Sequence, residues 1–119
     1  MTNRIITKET TVNIPIKKAW WKWTTEEGIK TFLAKDCWVE LKIGGAFEIY
    51  FVEDAPKGSR GAEGCRVLSF LPERMLTFSW NAPPTIPTVR ALGSVAWVVV
   101  FFEKVAENQT KIQLNHLGF

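Results

Sequence analysis

The strongest constraint on this chain is a strict alternation of apolar and polar side chains in several short segments after residue 38. Residues 39–43 (VELKI), 47–51 (FEIYF), 76–80 (LTFSW) and 112–116 (IQLNH) all follow this two-residue period. Gly44-Gly45, between the first two segments, accepts the positive φ angles of a hairpin turn. Because consecutive strands joined by short turns pair side by side, the pattern predicts an antiparallel sheet with one apolar and one polar face.

Three further segments complete the strand prediction. Residues 4–14 are rich in Ile, Thr and Val, and residues 65–71 and 94–103 are mostly apolar. Residues 53–62 are a polar loop. Residues 81–87 contain three prolines and cannot be a central strand, because proline lacks the backbone donor that a sheet requires. We expect this proline-rich segment to be a stiff connector or a gate at a cavity mouth.

A helix is predicted directly after the first strand. Pro15 suits the first turn of a helix, where its missing N–H costs nothing. Ile16, Trp20 and Trp23 follow at helical spacing and form one apolar stripe, whereas the lysines of the segment occupy the opposite side. This helix is therefore expected to pack its tryptophan side against the sheet.

A second short helix is predicted after the first. Thr24 and Glu27 have the spacing of a capping box, with Thr24 as the N-cap. The helix is expected to run to about Leu33 and to bury Ile29, Phe32 and Leu33. The order of one strand, two helices and six strands (β-α-α-β6) predicts an α+β domain over residues 1–119.

Composition excludes several classes of protein. The net charge of +3 is too small for a nucleic-acid-binding protein, which needs a clustered basic stripe. The longest apolar run, Val95–Phe102, is too short to span a membrane, and the polar first residues do not resemble a signal peptide, so we expect a cytoplasmic protein. The positive excess comes from five lysines in the first third of the chain: Lys17, Lys18, Lys22, Lys30 and Lys35.

The cysteines and the single histidine limit the chemistry. Cys37 and Cys65 belong to no CxxC pair and have no histidine nearby in sequence, so neither a zinc site nor another metal or cofactor site is predicted. Both are expected to be buried thiols. Any catalytic triad would have to use His116, and the sequence shows no partner for it, so an enzyme is not favoured.

The aromatic content points to a cavity. Six Trp and eight Phe are many for a chain of 119 residues, and large rings line a space more readily than they fill a compact core. A plain aromatic core is the alternative. The candidate cavity residues are those on the apolar face of the strands: Phe47, Ile49, Phe51, Leu68, Phe70, Phe78, Trp80, Val98, Val100, Phe102, Leu114 and His116.

Strand alternation predicts that two polar side chains also point to the apolar face. His116 could orient a ligand or act as an acid or base, although a histidine held by a backbone partner in the core is the commoner case. Arg66 shares parity with Leu68 and Phe70 and is a candidate polar anchor for a ligand. Its alternative is an arginine near a strand end that extends to solvent.

The opposite face of the long strand is unexpectedly apolar. Trp97, Val99 and Phe101 share the parity of Glu103 and should face solvent. Large apolar side chains on a solvated face suggest a protein interface, such as a homodimer. Cover by the loop of residues 81–92 is the alternative.

Five motifs in the same order resemble a known family. They are PxxxAW (15–20), TTEEG (24–28), VELKIGGAF (39–47), VLSFLPERMLTFSW (67–80) and HLGF (116–119). They are similar to the domain shared by homologues of the activator of the heat-shock protein ninety ATPase. That family belongs to the START-like (SRPBCC, birch-pollen-allergen-like) superfamily of helix-grip folds.

The resemblance implies a curved antiparallel sheet that grips a long C-terminal helix around an apolar cavity. The chain stops just where that helix would start, so the helix is expected to be absent or truncated. The implied function is binding of a small hydrophobic ligand, as a carrier or sensor. The alternatives are a protein-interaction module that binds a chaperone or a second copy of itself, and a polyketide-cyclase-like enzyme that uses His116.

Overall fold

The structure is a computed structural model that describes residues 5–52, 54–81 and 95–118. Its elements follow the predicted order of one strand, two helices and six strands. They are β1 (Ile5–Val12), α1 (Ile16–Thr24), α2 (Glu26–Ile29), β2 (Asp36–Val39), β3 (Phe47–Tyr50), β4 (Val67–Leu71), β5 (Met75–Asn81), β6 (Val95–Ala106) and β7 (Gln109–Leu117).

The strands form an antiparallel sheet, as predicted. Five of them pair in the order β1-β7-β6-β5-β4. The hairpin β2-β3 extends this sheet beyond β4: the Gly44 N–H donates to the Val67 carbonyl (2.7 Å), the Val67 N–H to the Gly45 carbonyl (2.8 Å), and the Phe47 N–H to the Cys65 carbonyl (2.9 Å). The result is one curved antiparallel surface with the helices on its inner face.

The first and last described strands lie side by side. β1 pairs with β7 along its whole length, from Ile5 opposite Leu117 to Val12 opposite Thr110. The side chains of β1 are mostly exposed. β1 is therefore an edge strand, whereas β7 and β6 lie inside the sheet.

The core forms where α1 packs on β6 and β7, and the predicted tryptophan stripe makes this contact. Trp20 meets Phe102 edge to face, with ring centroids 5.2 Å apart. Ala19, on the same side of the helix, is completely buried. The small alanine lets the helix approach the sheet closely, and the rings beside it fill the remaining space.

The second helix differs from the prediction in its cap and its length. Thr25 is the N-cap, and its Oγ1 accepts the Gly28 N–H at 2.9 Å. The hydroxyl of Thr24 instead donates to the Trp20 carbonyl (2.7 Å), since Thr24 still belongs to α1. The helix ends at Ile29 rather than near Leu33, and Phe32 is 46% exposed instead of buried.

The first hairpin is also shorter than its alternation predicts. β2 ends at Val39, and both Leu41 and Ile43 are exposed, Ile43 to 76%. The chain already turns there, because the Gly45 N–H donates to the Lys42 carbonyl at 2.8 Å. Gly44 has φ +80°, which supports the predicted glycine turn.

A β-bulge in β4 reverses the predicted side of one residue. Val67 lies opposite Phe78, and Ser69 opposite Thr77, so Leu68 is an extra residue between two paired positions. Val67 is completely buried, whereas Leu68 is 43% exposed. The prediction that Leu68 faces the cavity is therefore wrong, and Phe70, after the bulge, again packs against the core.

Some predictions concern residues outside the described part of the chain. The proline-rich segment 82–87 and the proposed cover of the outer face by residues 81–92 lie there, apart from Asn81, which ends β5. Within residues 5–52, 54–81 and 95–118 the last element is β7. None of the described helices is long and apolar enough to cross a membrane.

Candidate ligand-binding cavity

An apolar cavity of about 220 Å³ lies between the inner face of the sheet, the end of α1 and the turn after α2. Strands β3, β5, β6 and β7 contribute most of its wall, because their inward side chains converge under the helices. The lining residues are Trp23, Leu33, Phe47, Phe51, Phe78, Trp80, Val98, Leu114 and His116.

Four aromatic rings form a continuous wall along this cavity. Phe47 and Phe78 are stacked, with centroids 4.2 Å apart and planes inclined by 25°. Phe78 meets Trp80 edge to face at 5.9 Å, and Trp80 meets Phe51 in the same way at 6.1 Å. Such a wall offers both ring faces and ring edges, which suits a flat apolar molecule.

His116 is the titratable group of the lining. It lies on β7 opposite Val98 of β6, on the inner face that its alternation with Leu114 predicts. Loss of hydration on burial lowers the pKa of His116, because the charged imidazolium is disfavoured away from water. At neutral pH the ring is therefore uncharged and can offer one donor and one acceptor.

The structure brings together seven of the twelve predicted cavity residues. The other five divide into three groups: Ile49, Val100 and Phe102 are buried in the core, Phe70 packs against it, and Leu68 points away. The seven in the lining are Phe47, Phe51, Phe78, Trp80, Val98, Leu114 and His116.

Two lining residues come from outside the predicted set. Trp23 is on α1, and Leu33 is in the turn after α2. The apolar stripe of α1 was the available signal for Trp23, since a helix that packs on the sheet must cover part of any space there. Leu33 is predicted only as a buried residue at the end of a longer second helix, and the structure places it in the turn after that helix instead.

Arg66 is not placed as a polar anchor. Because of the bulge, the side chain of Val67 points inward. The neighbouring Arg66 side chain therefore points to the opposite face and is exposed. Its backbone N–H donates to the Ser79 hydroxyl at 2.8 Å, which ties the strand end to β5. Arg66 is therefore exposed to solvent, and the structure does not support its expected role as a polar anchor.

Phe51, at the cavity mouth, is held by the loop of residues 54–64. The N–H groups of Phe51 and Val52 both donate to the Arg60 carbonyl, at 2.8 and 2.9 Å. The Arg60 Nε in turn donates to the Ala55 carbonyl at 2.8 Å. These bonds fasten the loop, hereafter the mouth loop, to the end of β3.

Glu63 organises the mouth loop from within. Its carboxylate accepts the N–H groups of Gly58 (2.7 Å), Arg60 (2.9 Å) and Gly61 (2.8 Å). Burial alone would raise the pKa of Glu63, but the backbone N–H groups favour the charged form more strongly, and the pKa lies below its usual value. The ionised carboxylate is thus the centre around which the loop folds.

The outer face of β6 carries the predicted apolar residues. Trp97 is 36% exposed and Phe101 45%, with the half-buried Val99 between them. A Cβ at Gly118 would lie 2.6 Å from the Trp97 ring, so the indole packs closely over that glycine. Trp97 and Phe101 are therefore partly exposed apolar side chains within the described part of the chain.

The cysteines do not contribute to the cavity. Cys37 and Cys65 are both buried thiols, as expected. Burial raises the pKa of Cys37, and its Sγ donates to the Glu26 carbonyl at 3.7 Å. In the described ranges no group of three or more His, Cys, Asp and Glu side chains could hold a metal ion.

A curved antiparallel sheet that packs short helices over an aromatic cavity defines the chain as a helix-grip α+β protein. It belongs to the family described as "Activator of Hsp90 ATPase homolog 1-like protein", whose sequence model matches residues 13–119. This confirms the resemblance drawn from the five motifs. A search of curated proteins found no match.

Solved structures support the same fold. A protein from Mesorhizobium loti superposes with a TM-score of 0.73 at 21% identity, over 98% of this chain and 77% of that one. An Hsp90 activator from Plasmodium falciparum superposes with a TM-score of 0.73 at 19% sequence identity. The match covers 97% of this chain and 73% of that one. The Aha1 dimer from Colwellia psychrerythraea superposes with a TM-score of 0.68 at 19% sequence identity. The match covers 98% of this chain and 77% of that one. At these identities the likeness shows the fold.

Proposed function

We propose that this protein binds a small apolar ligand with at least one flat ring, as a carrier or sensor. The observation that carries the proposal is the aromatic cavity of about 220 Å³, with the neutral imidazole of His116 in its wall. Pockets of this kind, mostly apolar with a few polar groups, bind and orient small molecules. Binding is the function that this lining supports best.

The size of the cavity limits the ligand. An engineered apolar cavity of about 150 Å³ binds benzene, and about seven waters at ~30 Å³ each would fill the volume here. A single or fused pair of rings therefore fits. A hydroxyl or carbonyl on the ring could meet His116, which would fix the orientation of the ligand.

Catalysis at His116 is less well supported than binding. Acid–base enzymes usually place two titratable groups with separated pKa values at one site. Among the described lining residues, His116 is the one group that titrates near neutral pH. A cyclase-like activity is therefore the weaker reading of the same cavity.

Calorimetric titration with 1-naphthol tests the proposal. At about 0.5 kcal/mol per heavy atom, its eleven heavy atoms correspond to a Kd on the order of 100 μM. Leu114→Trp would fill the cavity and should abolish binding. Gln113→Trp adds the same side chain to the neighbouring position on the outer face and should leave binding unchanged. Absence of 1-naphthol binding, or equal binding by Leu114→Trp, would refute the proposal.

The outer face of β6 supports a second candidate function. Trp97 and Phe101 are accessible, and two proteins of similar fold are an Hsp90 activator and a dimer. We propose that this face binds a chaperone or a second copy of the chain. A cytoplasmic location belongs to this proposal, because buried thiols outside a disulfide fit a reducing compartment.

Sedimentation and Hsp90 capture test the second candidate. Trp97→Asp should convert a dimer to a monomer or remove captured Hsp90, whereas Glu103→Asp on the same face should change neither. A wild-type monomer that captures no Hsp90 would eliminate this function and leave the cavity proposal intact.

A further inference from the structure

A second pocket of about 250 Å³ lies beside the mouth of the cavity. Its lining residues are Leu33, Ala34, Lys35, Tyr50 and Phe51. Leu33 and Phe51 also line the cavity, so these two side chains stand between the inner and outer spaces. The two pockets are therefore neighbours that a single molecule could occupy.

Leu33 and Phe51 form the partition between the two pockets. Phe51 follows the last residue of β3 and is 48% exposed, and Leu33 lies in the turn after α2. Leu33 is half-buried, whereas the exposed side chain of Phe51 can change rotamer within nanoseconds. The cavity is smaller than the 300–1,000 Å³ of typical small-molecule sites, whereas the two spaces joined fall inside that range.

The outer pocket has a positive end. Lys35 is the charged residue of its described lining and is exposed. Within residues 5–52, 54–81 and 95–118, no carboxylate lies within ion-pair distance (4 Å) of its ammonium group. Lys30 lies nearby, since it and Lys35 line one further surface pocket.

The neighbouring acids are engaged elsewhere. The Tyr50 hydroxyl donates to Glu48 Oε1 at 2.6 Å, and the Gly64 N–H donates to Glu48 Oε2 at 3.1 Å. Asp36 Oδ1 accepts the Cys37 N–H at 2.9 Å. Glu48, Asp36 and Glu63 keep their charges near Tyr50 of the pocket lining, so the Lys35 ammonium is the described group of the lining that can attract an anion against them.

We infer that the ligand is an elongated ring-bearing carboxylic acid that occupies both spaces. Its ring lies against the aromatic wall of the inner cavity, its chain passes between Leu33 and Phe51, and its carboxylate meets the Lys35 ammonium. This inference rests on the proposed function and adds the chemical class of the ligand. A neutral molecule with the same ring and chain would fill the same space but lack the charged contact.

A matched pair of probes separates these contributions. In calorimetric titration at low salt, 4-phenylbutanoate should bind about 2- to 5-fold more tightly than 4-phenylbutan-1-ol, the range expected for an exposed ion pair. The advantage should shrink with added salt because the pair is accessible to solvent. Phenylalkanoates with two and five methylene groups then show which chain length best spans the partition.

Two lysine variants locate the charged contact. Lys35→Gln should remove the advantage of the acid over the alcohol and leave the affinity for the alcohol unchanged. Lys104→Gln removes the same charge from an exposed position on β6 and should change neither affinity. A chain-length optimum that disappears in Lys35→Gln would support the inference further.

The outcomes distinguish this inference from the proposed function. Binding of the alcohol that Leu114→Trp abolishes, together with equal affinity for the acid, would overturn the inference while the cavity proposal stands. An unchanged preference for the acid in Lys35→Gln would also overturn it. Failure of both probes to bind while 1-naphthol binds would overturn the inference alone. Failure of all three molecules to bind, or binding that Leu114→Trp does not affect, would overturn the cavity proposal itself.

Discussion

Replacing Glu63 by Gln should loosen the mouth loop and lower the free energy of unfolding by about 2 kcal/mol. The carboxylate accepts at least three backbone N–H groups: Oε2 accepts those of Gly58 and Arg60, and Oε1 that of Gly61. A glutamine has one carbonyl oxygen, which can serve the first two donors. Its NH2 group would then face the Gly61 N–H, donor against donor.

The magnitude follows from these three bonds. One bond to a charged acceptor, worth roughly 1.5–3 kcal/mol, is lost, and the other two fall to the neutral range of roughly 0.5–1.5 kcal/mol. The full loss is about 4 kcal/mol, and partial exposure of Glu63 to solvent reduces it to about half. The urea midpoint should fall accordingly, while Glu107→Gln, in the exposed β6–β7 turn, should leave it within about 0.5 kcal/mol of the wild type.

Dependence on pH provides a second measure of the same contact. The pKa of Glu63 in the folded protein lies below its unfolded value of about 4.3, so the carboxylate contributes its full stability above that pH. The contribution is lost as the pH falls through the lower folded pKa. Wild type and Glu63→Gln should therefore converge in stability as the pH falls below about 4.3 and through the lower folded pKa. Hydrogen exchange at Gly58 and Gly61 should be faster in the variant at pH 7. Equal urea midpoints at pH 7, or a difference that persists in acid, would refute this account.

Three further changes have defined outcomes. Thr25→Ala should cost about 1 kcal/mol in a urea melt because the Gly28 N–H loses its cap, and Thr25→Ser should restore most of it; equal midpoints for both variants would contradict the cap. Gly61→Ala should cost about 1–3 kcal/mol, since the added Cβ would lie 2.2 Å from the Ile49 carbonyl oxygen, and a wild-type midpoint would show that the strand can move aside. The Cys37 thiol is buried and has a raised pKa. In a Cys65→Ala variant at pH 8 it should therefore react with Ellman's reagent only as fast as the protein unfolds locally. Rapid reaction without urea would show that Cys37 is accessible.

Much of the fold follows from side-chain periodicity. The alternation of residues 76–80 and 112–116 places Phe78, Trp80 and His116 on the inner face, where the structure has them. The tryptophan stripe of α1 predicts the side that packs on the sheet. These predictions succeed because a burial pattern repeated over several residues constrains the orientation of a whole element.

The errors arise where one residue changes the register or ends an element. Leu68 is the extra residue of a bulge. The alternation of apolar and polar residues does not reveal such a bulge, because the residues on either side of it still read as strand. Thr24 and Thr25 can each serve as an N-cap, and only the end of α1 decides between them. Leu33 reaches the cavity through a turn whose path depends on tertiary packing.

The pairing of β1 with β7 has a mechanical consequence. Ile5, at the start of one strand, lies beside Leu117, at the end of the other. A force that pulls these two residues apart acts across the strands and along the direction of their hydrogen bonds. The bonds are then loaded one after another, as in a zipper, instead of all at once in shear. Tension applied at these two positions should therefore peel the edge strand away at low force, before the α1–sheet core gives way.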